Sequence, residues 1–503
     1  MGERPSSIET IGSRVLALAQ NDLIWHSLSQ CFQNDDHDGV AGINLVEYTA
    51  DTEAELTENV NRLIGRLDTL AGLPGECTGY SIAWGNQEVE KVWAMRKKAV
   101  GLLGNTQGEA RPVAFVEDTA VPPENLADFI MDFRAVLDRE GLSYGMFGHV
   151  DAGVLHVRPA LDMKDPEQIK TVRRITDEVV GLVQQYGGLL WGEHGKGVRS
   201  EFSPAFFGDL YPELQEIKRA FDPYNQLNPG KIATTNDQQP LLAIDAVPTR
   251  GDHDRTIPVA SWHYQSDAMY CNGNGACFNY DPNDAMCPSW KGTRERKHSP
   301  KGRASLIREW VRVLGEKGTN TQDLAQAEHR RLPFLHWFPR AWKTLRQRQG
   351  QYDFSHEVYD SMAGCLACKS CTGQCPVKVD VPEFRARFLH LYYGRYLRPP
   401  KDYFVGSLEF IIPLMSRQPF RWVYNSLMSA SPVKWLLEHG AGMVDSPHIH
   451  HHRLAPRLDK LGVQWASPSR LLELTQAERR RSVVIAAGAG GDSGQALWRH
   501  PAL

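Results

Sequence analysis

Over the first 235 positions, apolar residues recur at two different spacings. Residues 43–48 alternate apolar and polar, the period of a half-buried strand. Thr52 and Glu55 follow as a capping box at a helix start. Leu56, Val60, Leu63, Ile64 and Leu67 then fall on one face at helical spacing, which predicts a buried stripe. Trp93 and Arg96 sit in a second predicted helix, 111–118 reads as a strand, and Val121-Pro-Pro opens a third helix. Stretches 142–150 and 153–157 predict adjacent strands. Asp165-Pro166 marks a further helix start, with Ile169, Val172, Val179 and Val183 as its core face and Gly187-Gly188 as its end. Strands interleaved with helices predict an α+β fold, a sheet with helices on one face.

The pattern changes further on. Residues 234–261 are rich in Pro, Asp and Gln and read as a linker, and 262–400 as a mostly helical domain. Residues 401–480 form a helical extension, whose part 404–437 is amphipathic and broken by Pro413, Pro419 and Pro432. A packed helical layer is the plain reading of that part; a face toward a membrane surface or a further domain is the alternative. His448 to His452 reads as a solvated loop. Residues 481–503 look like the truncated start of another α/β domain. A strand at 482–486 runs into the glycine-rich 488–494, with no room left for the helix and second strand of a dinucleotide site.

The cysteines carry the sharpest chemistry. Cys365, Cys368, Cys371 and Cys375, followed by Pro376, have the C-x2-C-x2-C-x3-C-P spacing of a bacterial iron–sulfur module. Three thiolates of such a loop hold one cluster, and the proline-linked fourth turns to a second. Upstream lie Cys271, Cys277 and Cys287-Pro288. The crossover rule then groups Cys287 with Cys365, Cys368 and Cys371 as a 4Fe-4S site, and Cys375 with Cys271 and Cys277. Asn274 stands where a middle cysteine would be, and Asn is a poor ligand for iron. The second site is therefore either a 3Fe-4S cluster or a 4Fe-4S cluster with an unusual ligand. Cys31 and Cys77 read as buried, inert thiols.

Composition narrows the setting. With 60 acidic and 56 basic residues the chain gives no general reason to bind nucleic acid. The run 291–309 carries seven Lys or Arg against two Glu, and such cations balance anionic thiolate clusters. Free thiols fit a reducing cytoplasm. No secretory signal or membrane span is legible, which leaves a peripheral place at the inner membrane as the alternative location.

Two glycine-flanked segments remain. Gly148-His149 through His156-Val-Arg158 places two imidazoles about a turn, and Gly192-Glu193-His194-Gly195 sets a Glu-His pair between glycines. Two imidazoles and a carboxylate make a divalent-metal set such as zinc uses, although by spacing alone paired histidines are more often structural. These segments resemble the C-terminal half of FAD-linked 2-hydroxy-acid dehydrogenases of the vanillyl-alcohol-oxidase superfamily. So do Val92-Trp-Ala-Met-Arg96, 117–122 and 221–231. With the cluster region, the combination is most similar to the large bacterial D-2-hydroxyglutarate dehydrogenases. Cys271-Asn-Gly-Asn-Gly and His298-Ser-Pro-Lys-Gly-Arg303 support that subgroup.

The resemblance implies an FAD-linked oxidase C-terminal domain at 1–233, with an antiparallel sheet, followed by a ferredoxin-type two-cluster domain. It implies His149, His156 and Glu193 as metal ligands and His194 as the base for the hydroxyl proton. It also implies Arg96 as substrate-carboxylate binder and Asn228 as a flavin-side contact. Relatives often carry Asn where this chain has Arg158, which suits either a second substrate carboxylate or a salt bridge to a structural acid. The implied reaction is oxidation of a D-2-hydroxy acid, D-2-hydroxyglutarate foremost, with D-lactate and glycolate as alternatives. Electrons would leave through the clusters to a carrier or quinone. Because relatives begin with a flavin-binding domain and end with a cysteine-rich one, the resemblance also implies a chain shortened at both ends. A separate flavin-binding polypeptide or an inactive fragment is then the alternative to a self-sufficient enzyme.

Overall fold

In the computed structural model, the described residues are 4–20, 42–70, 77, 79–105, 108–195, 197–330, 336–415 and 417–444, with short pieces beyond 444. Cys31, 450–452 and the glycine-rich 488–494 lie outside them. The chain forms two compact units, one of 1–331 with 352–392 and the other of 332–351 with 393–503.

The first unit opens with β1 (Ser7–Gly12) and α1 (Ser13–Gln20), then β2 (Gly42–Glu47), α2 (Glu53–Thr69) and α3 (Asn86–Leu102). Short pieces β3 (Arg111–Pro112) and β4 (Thr119–Ala120) lead to α4 (Leu126–Arg139). A hairpin of β5 (Tyr144–His149) and β6 (Val154–Leu161) follows, and then α5 (Pro166–Gln185). The strands pair antiparallel in the order β2-β1-β5-β6-β3, with β4 also on β6. Asp165 caps α5 through the Glu167 N–H, as Asp-Pro predicts.

Strand parity fixes what each face does. Ile11 stands opposite Phe147, and Phe147 opposite His156. Leu155, Val157 and Leu161 point the other way, into a core with Phe129, Phe133, Val172, Val179 and Val183 of α4 and α5. Helices were expected on one face only. They lie on both: Ile11 and Phe147 pack with Val15 and Leu16 of α1 and Met95 of α3. Both faces of β5–β6 carry bulky apolar residues, so each needs a helical cover.

Other expectations shift locally. Thr52 caps α2 through the Glu55 N–H, but the α2 stripe is only half-buried. Most of 111–118 is not ladder-paired. The buried Arg199 guanidinium takes the Phe115 and Glu117 carbonyls that a neighbouring strand would have taken. Residues 234–261 are not a loose linker. Thr234 and Thr235 are buried, Asp245 pairs with Arg173, and two short helices occupy Arg250–Asp254 and Val259–Tyr264.

The cysteine region is helical, built on α6 (Pro300–Glu316), α7 (Val381–Arg395) and the helix Ser355–Ala363. In the second unit Pro413 lies inside the helix Leu408–Met415 rather than breaking it, whereas Pro419 and Pro432 stand at helix starts. The predicted strand at Ser482–Ala486 is present and pairs with Gln495–Arg499. Among the described residues no helix is long and apolar enough to cross a membrane.

Candidate active site and cysteine groups

The sheet places the site by register. Glu9 of β1 stands opposite His149 of β5, and Phe147 opposite His156 of β6. Because directly paired residues share a face, Glu9, Phe147, His149, His156 and Arg158 all project toward α1 and α3. The hairpin closes tightly here. A Cβ on Gly148 would lie 2.2 Å from the Val154 carbonyl oxygen, so glycine is what lets β5 approach β6 beside His149.

Glu193 and His194 arrive from a different element. Segment 189–192 runs along β4, with Leu189 bonded to Ala120 and Gly192 N–H to the Asp118 carbonyl. Asp118, in a left-handed conformation, then accepts the backbone N–H groups of Glu193 and His194 on its two carboxylate oxygens at 3.0 and 3.2 Å. Asp118 thereby aims the Glu-His pair.

The result is a convergence on one oxygen. Glu193 Oε1 lies 3.2 Å from His149 Nε2, 2.9 Å from His156 Nε2 and 2.9 Å from His194 Nε2. Among the described residues, Asp118, His156, Glu193 and His194 form a four-donor group whose ligand atoms lie within 4.8 Å of one another, and it does not include His149. Asp118 already spends both oxygens on backbone, so its role there is orientation. His149 is tied instead to Glu9, whose Oε1 accepts from Nδ1 at 2.6 Å.

Charge follows from these partners. The hydrogen bond to Glu9 lifts His149 above the usual imidazole value, against the pull of burial. Burial holds His156 below it and outweighs Glu117 and Glu193, which keeps that ring neutral and able to ligate. Burial pushes the Glu193 carboxyl up, but the three imidazoles around it bring it below the usual range. Two or three imidazoles with one carboxylate are a donor set that could hold a divalent metal. With Nδ1–H given to the Glu9 carboxylate, the His149 ring is held so that Nε2 faces Glu193.

Both substrate candidates are engaged. Arg96 gives Nε and Nη2 to Glu9 at 3.1 and 2.8 Å, and Arg158 gives Nε to the buried Glu117 at 2.6 Å. The salt-bridge reading of Arg158 is thus met, yet its two Nη groups and Nη1 of Arg96 make no hydrogen bond among the described residues. Both guanidinium groups lie against the Phe147 ring. Asn228, left-handed at φ 47°, lines an open groove with Lys231, Ile232 and Gly195, the neighbour of His194. Glu9, Glu117 and Asp118 are the site residues that sequence reasoning passed over. Glu117 and Asp118 lie in 117–122, one of the segments that carry the resemblance, whereas Glu9 in Ser-Ile-Glu-Thr-Ile has no local mark.

The cysteines fall into two groups. Cys287, Cys365, Cys368 and Cys371 line one pocket. Cys271, Cys277 and Cys375 neighbour one another elsewhere, and burial, aided by repulsion among them, raises the Cys271 and Cys277 thiols. All eight described cysteines are free, and Cys77 is exposed rather than buried, its Sγ turned to the Gly79 carbonyl. Asn274 is exposed, its side chain bonded to Asn272 and the Ala276 N–H rather than turned to the sulfurs. The three-cysteine group also meets the end of the Arg96 helix. A Cβ on Gly101 would touch Pro376, and one on Gly104 would touch Asn272 and Val377.

Residues 1–232 match the family described as FAD linked oxidases, C-terminal domain. Over 96% of its length the chain is 55% identical to a D-2-hydroxyglutarate dehydrogenase of Pseudomonas putida, covering 48% of that protein. It is 49% identical to the Escherichia coli D-2-hydroxyglutarate dehydrogenase, over 96% of this chain and 47% of the relative. For the Pantoea ananatis protein of the same name the identity is 47%, over 95% and 47%. The chain thus spans about half the length of the curated relatives it matches.

Proposed function

We propose that this chain is the substrate-, metal- and cluster-bearing part of an FAD-linked D-2-hydroxy-acid dehydrogenase that converts D-2-hydroxyglutarate to 2-oxoglutarate. The observation that carries the reading is the convergence of His149, His156 and His194 on Glu193 Oε1. A divalent ion such as zinc suits His149, His156 and Glu193, and when bound supplies Lewis-acid polarisation of the substrate hydroxyl. Asn228 would contact FAD, which when bound would supply the acceptor for the C2 hydride. Iron–sulfur groups on the seven cysteines, one 4Fe-4S and one 3Fe-4S or 4Fe-4S, supply one-electron carriage toward a carrier protein or quinone.

The chain's own residues do the rest. His194 Nε2 takes the hydroxyl proton. Its ring is half-exposed, so substrate can reach it. Arg96 Nη1 meets the C1 carboxylate, and the Nη groups of Arg158 meet the distal one. A diacid uses both cations, whereas lactate or glycolate uses one, which favours hydroxyglutarate.

The test is anaerobic purification of the chain together with a flavin-binding polypeptide, followed by dye reduction with D-2-hydroxyglutarate, D-lactate and glycolate. A kcat/KM for D-2-hydroxyglutarate about tenfold or more above the others supports the reading. Equal turnover of D-lactate transfers it to the monoacid alternative. No turnover of any acid by a flavin-loaded, cluster-loaded preparation leaves the inactive or electron-transfer reading.

A further inference from the structure

The segment His298-Ser-Pro-Lys-Gly-Arg303 has no part in the chemistry above, yet it is built between the two cysteine groups. Ser299 caps α6 by accepting the Gly302 N–H, with Pro300 as the first helical residue. Gly302 is required there, since a Cβ would lie 1.9 Å from the Arg296 carbonyl oxygen. Residues 301 and 303 are two apart on a helix, about 200° around its axis, so they face opposite sides.

We infer that these two side chains set the redox balance of the protein: Arg303 is the fixed counter-charge of the Cys287, Cys365, Cys368 and Cys371 group, and Lys301 that of the Cys271, Cys277 and Cys375 group. The inference rests on the reading that both groups carry iron–sulfur clusters.

Arg303 is 1% exposed. Its Nε bonds the Ser361 carbonyl at 2.9 Å, Nη2 the Ser289 hydroxyl at 2.9 Å, and Nη1 reaches Cys287 Sγ at 3.8 Å. Among the described residues no carboxylate pairs with it. A buried guanidinium with only neutral partners is costly. Among the described residues, a thiolate at Cys287 is the anion its guanidinium reaches, with Cys365, Cys368 and Cys371 lining the same pocket. Cys287 itself is held at φ 33°, a strained value for a non-glycine residue, with Sγ turned to Arg303 and the His298 carbonyl.

Lys301 serves the other side. Its Nζ lies 3.0 Å from where a Cβ on Gly273 would stand, over the loop between Cys271 and Cys277. Its backbone N–H faces Cys277. It makes no ion pair among the described residues. A thiolate-ligated cluster gains one negative charge with each electron, so an adjacent fixed cation or N–H donor raises its reduction potential. One helix start thus serves both groups, each through its own residue.

The test is an EPR-monitored redox titration of the anaerobically reconstituted chain, with dithionite as reductant, for the native sequence, R303K, R303Q and K301Q. R303Q is expected to make reduction of the four-cysteine cluster about tenfold less favourable, a fall of about 59 mV for one electron, and to leave the other cluster unmoved. K301Q is expected to lower only the three-cysteine potential, and R303K to stay near native. Native cluster content with unmoved potentials in R303Q and K301Q overturns the inference alone. A native chain that assembles no cluster overturns the cluster reading and the inference with it. Where R303Q fails to assemble, K301Q and R303K decide: an unmoved three-cysteine potential in K301Q, or an R303K four-cysteine potential as far from native as the charge loss predicts for R303Q, overturns it.

Discussion

Glu9 and His149 share a 2.6 Å hydrogen bond across neighbouring strands, Oε1 to Nδ1. The other oxygen of Glu9 takes the Arg96 guanidinium. One buried carboxylate therefore orients a metal-ligand candidate and a substrate-binding candidate together, from elements far apart in sequence.

Glu9→Gln keeps the shape and removes the charge. The expected outcome is about 10–100-fold weaker metal binding, the usual cost of losing a carboxylate behind a ligating histidine. Chelator competition measures it. Affinity within twofold of native would show that Glu9 does not act through His149.

The same pair sets a pH dependence. His149 is raised above 6.5, first by its bond to Glu9, so it stays protonated to higher pH than a free imidazole and competes with metal. Metal affinity should begin to fall above pH 6.5 as pH is lowered, and Glu9→Gln should move that fall to lower pH. In the metal-free chain, the His149 contribution to stability is full below about 6.5 and is lost as pH rises through its raised folded value. For Glu9, burial raises the carboxyl, but the bonds from His149 and Arg96 outweigh it and hold it below 4.5. Its contribution is present above that value and is lost as pH falls through the depressed one. The melting difference between native and Glu9→Gln should therefore be widest between pH 4.5 and 6.5 and narrow on either side.

Gly148→Ala tests the closure of the hairpin. The new methyl meets the Val154 backbone oxygen, which cannot rotate away, so β5 must move off β6. A loss of about 1–3 kcal/mol in denaturant unfolding is expected. The same change at Gly181, where nothing lies within 4 Å, should not destabilise the chain and serves as the control.

Much of this arrangement was legible in the sequence, for identifiable reasons. The β5–β6 hairpin and α5 could be read because alternation, Asp-Pro and Gly-Gly are local signals. The grouping of Cys287 in one pocket with Cys365, Cys368 and Cys371 could be read because ligand spacing is a geometric constraint. Glu9 could not: its partner lies 140 residues away, and an acid in a six-residue strand carries no local mark of burial. The helix cover on the second face was missed for a similar reason. Met95 and Phe147 meet only in the folded sheet. Residues 234–261 looked like a linker because polar composition hides anchor points such as Asp245 to Arg173.

The crossover of cysteines gives a paired prediction. Cys287→Ser should remove the cluster of Cys365, Cys368 and Cys371 and spare the other, and Cys375→Ser should do the reverse. Iron counting with EPR separates the two. Asn274→Cys is expected to add a ligand only if its exposed loop turns inward, since the Asn274 side chain now faces Asn272 and Ala276. Loss of the same signal in Cys287→Ser and Cys375→Ser would place all of these cysteines in a single group.

The most direct measurement of the central claim is D-2-hydroxyglutarate oxidation by the flavin-loaded protein before and after metal removal, beside the same assay of His156→Ala. Chelation is expected to take activity to background, about one equivalent of zinc per chain to restore it, and His156→Ala neither to hold the metal nor to respond to it. Full activity in a preparation shown to be metal-free would contradict the claim.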